Sequence, residues 1–250
     1  VNTGTASFTI NIERTVSAEY FSFTTSDAEY NVLCKIRSMP NSAYLLDNAD
    51  FALGIVTGNN KEYISDIKNE NNEMILKGAD ICKYHITRTN NYIVFKPENF
   101  QQAAPTEMYR SPEKLLYRFI SSQLVFAYDD KQTLSLNSCN IVIPRIPGIK
   151  IKYVLAILNS RIAQFIYKKV FNSVKILRSH IENIPIPTAD ASTQAEIIAL
   201  TDKLISGLQA DEAEKIYDEL DLLVSKAFNL GSNEIEIINK AVEGDNKFLA

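Results

Sequence analysis

The side chains able to do chemistry are few and scattered. His85 and His180 are the only histidines, and neither stands near a cysteine or carboxylate at metal-ligand spacing. Cys34, Cys82 and Cys139 are far apart and odd in number, which argues against a disulfide framework or a cysteine-rich metal site and fits a reducing cytoplasm. Pro112-Glu113 followed by Asp129-Asp130-Lys131 loosely matches a nuclease pattern. There, two carboxylates hold Mg²⁺ and a lysine steadies the attacked phosphate. The same Asp-Asp-Lys also makes a good hairpin turn. No nucleophile elbow, dinucleotide fingerprint or phosphate-cradling glycine loop occurs.

A different chemistry, hydrogen bonding to a polyanion, is offered by the stretch from Phe51 to Phe95. Its two halves, FALGIVTGNNKEYI and ILKGADICKYHITRTNNYIVF, read as hairpins, with Gly54, Gly58 and Gly78 giving backbone freedom where the chain reverses. The tips carry Thr57, Asn59, Asn60, Lys61, Lys77 and Lys83. Small, donor-rich and basic residues of this kind suit phosphates and base edges, and equally suit a solvated turn.

The elements that must hold these turns follow from periodicity. Ser26-Asp27 caps a helix through about Arg37, and residues 8–23 alternate as an extended entry segment. Residues 96–113 form a polar surface loop. KLLYRFIS, LVFAYDD and CNIVIP are three strands, and KYVLAILNSRIAQFIYKKVF is one long helix with Val154, Leu158, Ile162, Phe165 and Ile166 on its apolar stripe. HIENIPIP is extended because its prolines deny a helix. Helices at about 193–209 and 212–229 and a short third from Ser232 close the chain. The expected fold class is therefore α+β. A recognition lobe with a mixed or antiparallel sheet and a long packing helix precedes a C-terminal helical module.

Charge divides along the same lines. Residues 54–180 hold 18 Lys and Arg against 10 Asp and Glu, whereas residues 181–250 hold 5 against 14. A basic middle beside an acidic tail fits a polyanion-binding lobe joined to a solvated helical region. No apolar run is long enough to cross a membrane, and the first residues lack a basic-then-apolar signal, so no membrane partner is expected. The chain starts at Val1 rather than Met, which hints at a piece of a longer protein.

Five motifs in a fixed order carry a resemblance: ALGIVTGNNKEYI, ILKGADICKYHI, SPEKLLYRFISSQLVFAYDD, YVLAILNSRIAQFIY and HIENIPIP. Together they resemble the TaqI-like C-terminal specificity domain, the target-recognition part of adenine-specific DNA methyltransferases and fused type IIG restriction–modification enzymes. DELDLLVSKAFNLGSNEIEII is similar to the helical tail of those enzymes. The resemblance implies three parts. Residues 1–45 would be an arm from a missing catalytic domain, 46–187 the DNA target-recognition domain, and 188–250 the helical module. It further implies double-stranded DNA as partner, together with the protein's own N-terminal methyltransferase domain. That domain would hold S-adenosylmethionine and the Asn-Pro-Pro-Tyr/Phe motif. Neither a cofactor loop nor that motif occurs here, so catalysis is expected outside this chain and no cofactor within it.

By motif position, Thr57, Asn59, Asn60 and Arg110 are the expected base readers. Lys61, Lys77, Lys83, Arg118, Lys131 and Arg145 are the expected backbone contacts. Three alternatives stay open: a type I specificity subunit, a Mg²⁺-dependent nuclease, and a protein–protein module working through residues 190–242.

Overall fold

The computed structural model describes Ile10, residues 25–87 and residues 89–244. The entry segment expected over residues 8–23 lies outside the described residues, Ile10 apart. In chain order the first elements are α1 (Asp27–Arg37), β1 (Ser42–Ala43), β2 (Ala49–Ala52), a single helical turn α2 (Asn60–Tyr63), β3 (Ile64–Ser65), β4 (Glu73–Leu76) and β5 (Tyr92–Ile93). Then come the turn α3 (Thr106–Tyr109), β6 (Lys114–Arg118), β7 (Phe126–Asp129), β8 (Leu134–Ser135) and β9 (Cys139–Pro144). The helical part comprises α4 (Ile151–Asn159), α5 (Arg161–Ile166), α6 (Arg178–Glu182), the short strand β10 (Ile186–Pro187), α7 (Ala191–Ile205), α8 (Ala210–Ala227) and α9 (Ser232–Ala241).

The organising element is an antiparallel sheet in the order β2-β9-β6-β7. Its strands alternate, so each face takes every second residue. Leu115, Tyr117, Phe126, Tyr128 and Val142 enter one core, while Leu116, Ala127, Ile141 and Ile143 enter another on the opposite side. The second core is closed by a smaller sheet, β3-β5-β4-β8, in which β4 and β8 run parallel. The first core is closed by helices and runs from Val32 and Ile36 through Tyr153 and Leu158 to Leu220 and Val242. Residues expected as arm, lobe and helical module thus share one core. A two-stranded pair, β1 with β10, ties residues 42–43 to the segment after α6.

The three central strands lie where alternation places them, but the double hairpin does not form. β2 pairs with β9, Ala52 facing Ile141, instead of turning back at residues 57–61. The reason is steric access at Gly54: a Cβ there would lie 2.1 Å from the Leu136 carbonyl oxygen, so only glycine lets the chain cross the 136–139 turn. Gly78 makes a similar approach, 2.5 Å from the Ser138 carbonyl oxygen, and among the three glycines only Gly58 takes a positive φ, +83°. β4 does run antiparallel to β5, but through a long excursion over residues 77–91 rather than a tight turn.

The single long helix expected over residues 152–171 is also broken. Ser160 is extended (φ −68°, ψ 160°), and its hydroxyl accepts from the Ala163 N–H at 3.1 Å, capping α5. The Asn159 side chain explains the break. It accepts from the Phe126 N–H (3.0 Å) and donates to the Phe126 carbonyl (2.9 Å), sharing the outer edge of β7 with Tyr84, whose N–H donates to the same carbonyl at 2.7 Å. Beyond α5 the backbone widens into a π-helical turn, Tyr167–Phe171, ended by left-handed Asn172 at φ +42°.

The C-terminal helices lie where the apolar stripes place them. Asp190 caps α7 by accepting from Thr193 N–H at 2.8 Å. Ile197, Leu204, Leu220, Val224 and Phe228 are all buried. Their apolar stripes are therefore spent on the core. Among the described residues no helix is long and apolar enough to cross a membrane.

Candidate functional site

The strand directions sort the candidate residues by position. β2 and β6 end, and β9 begins, at one end of the central sheet, where Gly54, Arg118 and Ser138 lie together. There the Gly78 N–H donates to Ser138 Oγ (3.1 Å), the Asn137 N–H to the Ile55 carbonyl (3.1 Å) and the Phe119 N–H to the Ser138 carbonyl (3.1 Å). The turn after Ile55, the Lys77 loop and the loop after Arg118 are thus gathered on one rim. Arg110, Lys131 and Arg145 belong to the opposite end, where Lys114 and Asp129 pair and where β9 finishes beside the start of β2. The ten candidates do not form one patch.

Four of them are taken up by the fold, which corrects the expectation for each. Thr57 is buried and its hydroxyl donates to Asn60 Oδ1 at 2.6 Å, stiffening the turn into α2 instead of facing solvent. Arg110 clamps both Glu73 oxygens at 2.7 and 2.6 Å, donates to the Gln132 carbonyl and lies 5.1 Å from the Phe95 ring. Its guanidinium fork, the part that would read a guanine, is already occupied. Arg118 spends Nε and a terminal nitrogen on the Ile81 carbonyl, 3.1 and 2.6 Å away, and so holds the 78–87 loop.

Lys83 departs furthest from expectation. It is 5% exposed, and its ammonium donates to the Asn159 carbonyl (3.1 Å) and the Tyr217 hydroxyl (3.2 Å). A cation on the last carbonyl of α4 is favourably placed against the helix dipole. Around it Tyr217 donates to the same carbonyl at 3.0 Å, Arg161 lies over the Tyr217 ring, and Asp221 accepts from the Arg161 backbone N–H at 2.8 Å. Burial raises the pKa of both Tyr217 and Asp221. Nothing in the sequence spacing links Lys83 with Asn159, Tyr217 and Asp221; only the tertiary fold does.

The remaining six stay at or near the surface. Asn59, Asn60 and Lys61 are exposed on α2 and its entry, with Asn59 donating to Glu62 at 3.3 Å. Lys77 is half-buried at the rim, and its backbone N–H donates to Asp80. Lys131 pairs with Asp130 at 3.1 Å and Arg145 with Asp50, all four side chains being exposed.

The nuclease pattern comes apart in the same way. Asp129 is 1% exposed and its carboxylate accepts from Lys114, from the Thr133 hydroxyl (2.7 Å) and from the Thr133 N–H (2.9 Å). Glu113 accepts from the Tyr128 hydroxyl. Both carboxylates therefore serve the sheet, and no group of three or more His, Cys, Asp or Glu able to hold a metal ion occurs among the described residues. His180 packs on Phe171 with ring centroids 4.5 Å apart, its Nδ1 accepts from the Leu177 N–H, and burial lowers its pKa from 6.5.

The two sheets thus carry loops at their ends and pack on helices. Residues 73–186 match the family model of the TaqI-like C-terminal specificity domain. The fold is shared with two solved structures. The type IIL restriction–modification enzyme MmeI, in complex with DNA, is 11% identical over 80% of this chain and 35% of that chain, with a TM-score of 0.53. The type IIG restriction endonuclease BpuSI is 13% identical over 87% of this chain and 32% of that chain, with a TM-score of 0.54. The HsdS subunit from Thermoanaerobacter tengcongensis is 15% identical over 81% of this chain and 51% of that chain, with a TM-score of 0.41. This chain thus spans about a third of the length of MmeI or BpuSI. No curated protein sequence matches it.

Proposed function

We propose that this chain is the DNA target-recognition part of a restriction–modification enzyme, of the type IIG-like kind in which an adenine-N6 methyltransferase domain is fused to it. The observation that carries this reading is the TaqI-like specificity domain over residues 73–186. The shared fold with MmeI and BpuSI, extending over most of the chain, supports it. Catalysis and S-adenosylmethionine belong in this reading to the methyltransferase domain, the protein acts in the cytoplasm, and the present chain supplies position and specificity. Lysines neutralise phosphates and set register, while Asn59 and Asn60 lie on an exposed turn able to reach base edges.

Fluorescence anisotropy with labelled duplex DNA across a salt series tests the binding half. Affinity in the range of about 10⁻⁴–10⁻⁶ M that falls steeply with salt is expected for the isolated chain. Absence of salt-dependent binding overturns the reading. The fused-enzyme half is tested by calorimetry with S-adenosylmethionine and a labelled methyl-transfer assay. Saturable cofactor binding or turnover by this chain alone contradicts it. An upstream reading frame encoding an Asn-Pro-Pro-Tyr motif supports the fused enzyme, whereas a second recognition domain in the frame makes the chain part of a type I specificity subunit.

A further inference from the structure

One part of the rim was not among the sequence candidates. After left-handed Asn172 the chain doubles back across the loop that follows β6. The Ser121 N–H donates to the Val174 carbonyl (2.9 Å), the Ile176 N–H to the Phe119 carbonyl (2.8 Å), and Ile120 stands opposite Lys175 in this short antiparallel ladder. Ile176 is fully buried beneath it, and Tyr167 donates to the Ser173 carbonyl at 2.7 Å, so the ladder is anchored.

Partners across a ladder share a face, and so do residues two apart in extended chain. Ile120, Lys175 and Leu177 therefore point the same way. Ile120 is 64% and Leu177 42% exposed, and Lys175 is exposed beside them. Two large apolar side chains left in water on a fixed edge call for a partner.

Charge says which partner. From Lys131 to Ile181 the sequence holds nine Lys and Arg and not one Asp or Glu. Of that run, Lys175 stands on the ladder itself, while Lys169 is paired with Glu29 at 2.8 Å and Arg178 with Glu182 at 2.7 Å; the Lys77 loop adjoins the ladder through Ser138. Lys175 on the ladder and Lys77 on the adjoining loop put positive charge beside the apolar pair, which suits a polyanion.

We propose that Ile120, Lys175 and Leu177 form a DNA-contacting ridge, the two apolar side chains bearing on base edges and Lys175 on a phosphate. The proposal rests on the DNA-recognition reading above. An apolar contact of this kind discriminates bases through the thymine methyl group, whereas the ammonium acts without regard to sequence.

The test uses the full chain, as wild type, Lys175→Ala and Ile120→Ser/Leu177→Ser, in anisotropy titrations with duplex DNA over about 50 to 200 mM salt. Lys175→Ala is expected to reduce the salt slope by about 1. The double variant is expected to bind about tenfold more weakly at every salt concentration with the slope unchanged. All three sites are at the surface, and matching thermal melts confirm that the variants are folded. If the wild type shows no salt-dependent binding, the recognition reading itself fails. If the wild type binds and both variants match it, the ridge alone is overturned. It is also overturned if sedimentation shows a dimer that the double variant abolishes while DNA binding is unchanged, because a second copy then covers these residues.

Discussion

The Lys83 ammonium lies 3.2 Å from the Tyr217 hydroxyl oxygen, joining a loop of the recognition lobe to α8 across 134 residues of sequence. Both groups also meet the Asn159 carbonyl, so the last turn of α4, the 81–87 loop and the middle of α8 are fastened at one buried point. A lysine expected to meet phosphate thus holds the helical segment against the sheet.

Lys83→Met should accordingly behave as a stability variant. Losing charged hydrogen bonds at a buried site costs about 1.5–3 kcal/mol. Urea denaturation should show the midpoint falling by a corresponding amount, and where the variant is folded its salt slope on DNA should equal that of the wild type. A slope lowered by about one, with stability unchanged, would return Lys83 to the interface.

Gly54→Ala tests the crossing that prevents the first hairpin. The added methyl would meet the Leu136 carbonyl oxygen at 2.1 Å and the Cys139 carbonyl oxygen at 2.8 Å, both backbone atoms that cannot swing aside. The cost should reach or exceed the upper end of the about 1–3 kcal/mol typical of overpacking. Gly148→Ala is the comparison: nothing lies within 4 Å, and only its positive φ of +74° opposes the methyl. Thermal melts should show Gly54→Ala as much the more damaging of the two.

What could be read from the sequence was what local pattern determines. The three central strands alternate so regularly that Leu115 and Leu116 were bound for opposite faces, and Asp190 with its following stripe marks α7 without tertiary help. What could not be read was set by contacts distant in sequence. The break at Ser160 depends on Asn159 finding the β7 edge, and the fates of Lys83, Arg110 and Arg118 depend on acceptors 22 to 134 residues away. Turn composition marked Asn59 to Lys61 as exposed, and they are. It could not show that Thr57 beside them turns inward. The Ile120 ridge had one legible signal, the acid-free run ending at Ile181, but its pairing across the ladder had none.

The Lys35–Glu234 pair predicts a pH effect. Lys35 on α1 meets Glu234 on α9 at 2.7 Å, and this contact first, then the Gly231 N–H, lowers the Glu234 pKa from 4.5. A carboxylate with a lowered folded-state pKa contributes stability that is fully present above 4.5 and lost as pH falls through the folded value. Both side chains are partly exposed, so the contribution is below about 1 kcal/mol. Glu234→Gln should therefore be less stable than wild type at pH 7, with the gap closing under acid. Parallel denaturation curves from pH 7 down to pH 3 check it, and a gap that persists unchanged would mean the pair contributes nothing through charge.

The separation of the candidates onto two ends of the sheet yields the last prediction. Strands of four to six residues place the ends roughly 15–20 Å apart at about 3.3 Å per residue, so the sheet ends present separate surfaces. Lys131 is neutralised by Asp130 and Arg145 by Asp50, whereas Lys77 lies on the rim that also carries the Ile120 ladder. Lys77→Ala should weaken binding to all duplexes and lower the salt slope by about 1. Lys131→Ala and Arg145→Ala should leave the slope unchanged, because an ion-paired side chain brings little net charge to the phosphates. Lys61→Ala reports on the turn beyond Ile55: a reduced slope places that turn against DNA with Lys77, and an unchanged one leaves it a solvated turn. On the cognate site of the full-length enzyme, Asn59→Ala and Asn60→Ala should each cost about 1–3 kcal/mol if the turn reads bases. Anisotropy across the salt series for the four cationic variants decides which end faces DNA. Slopes that fall for Lys131 and Arg145 but not for Lys77 would turn the domain around.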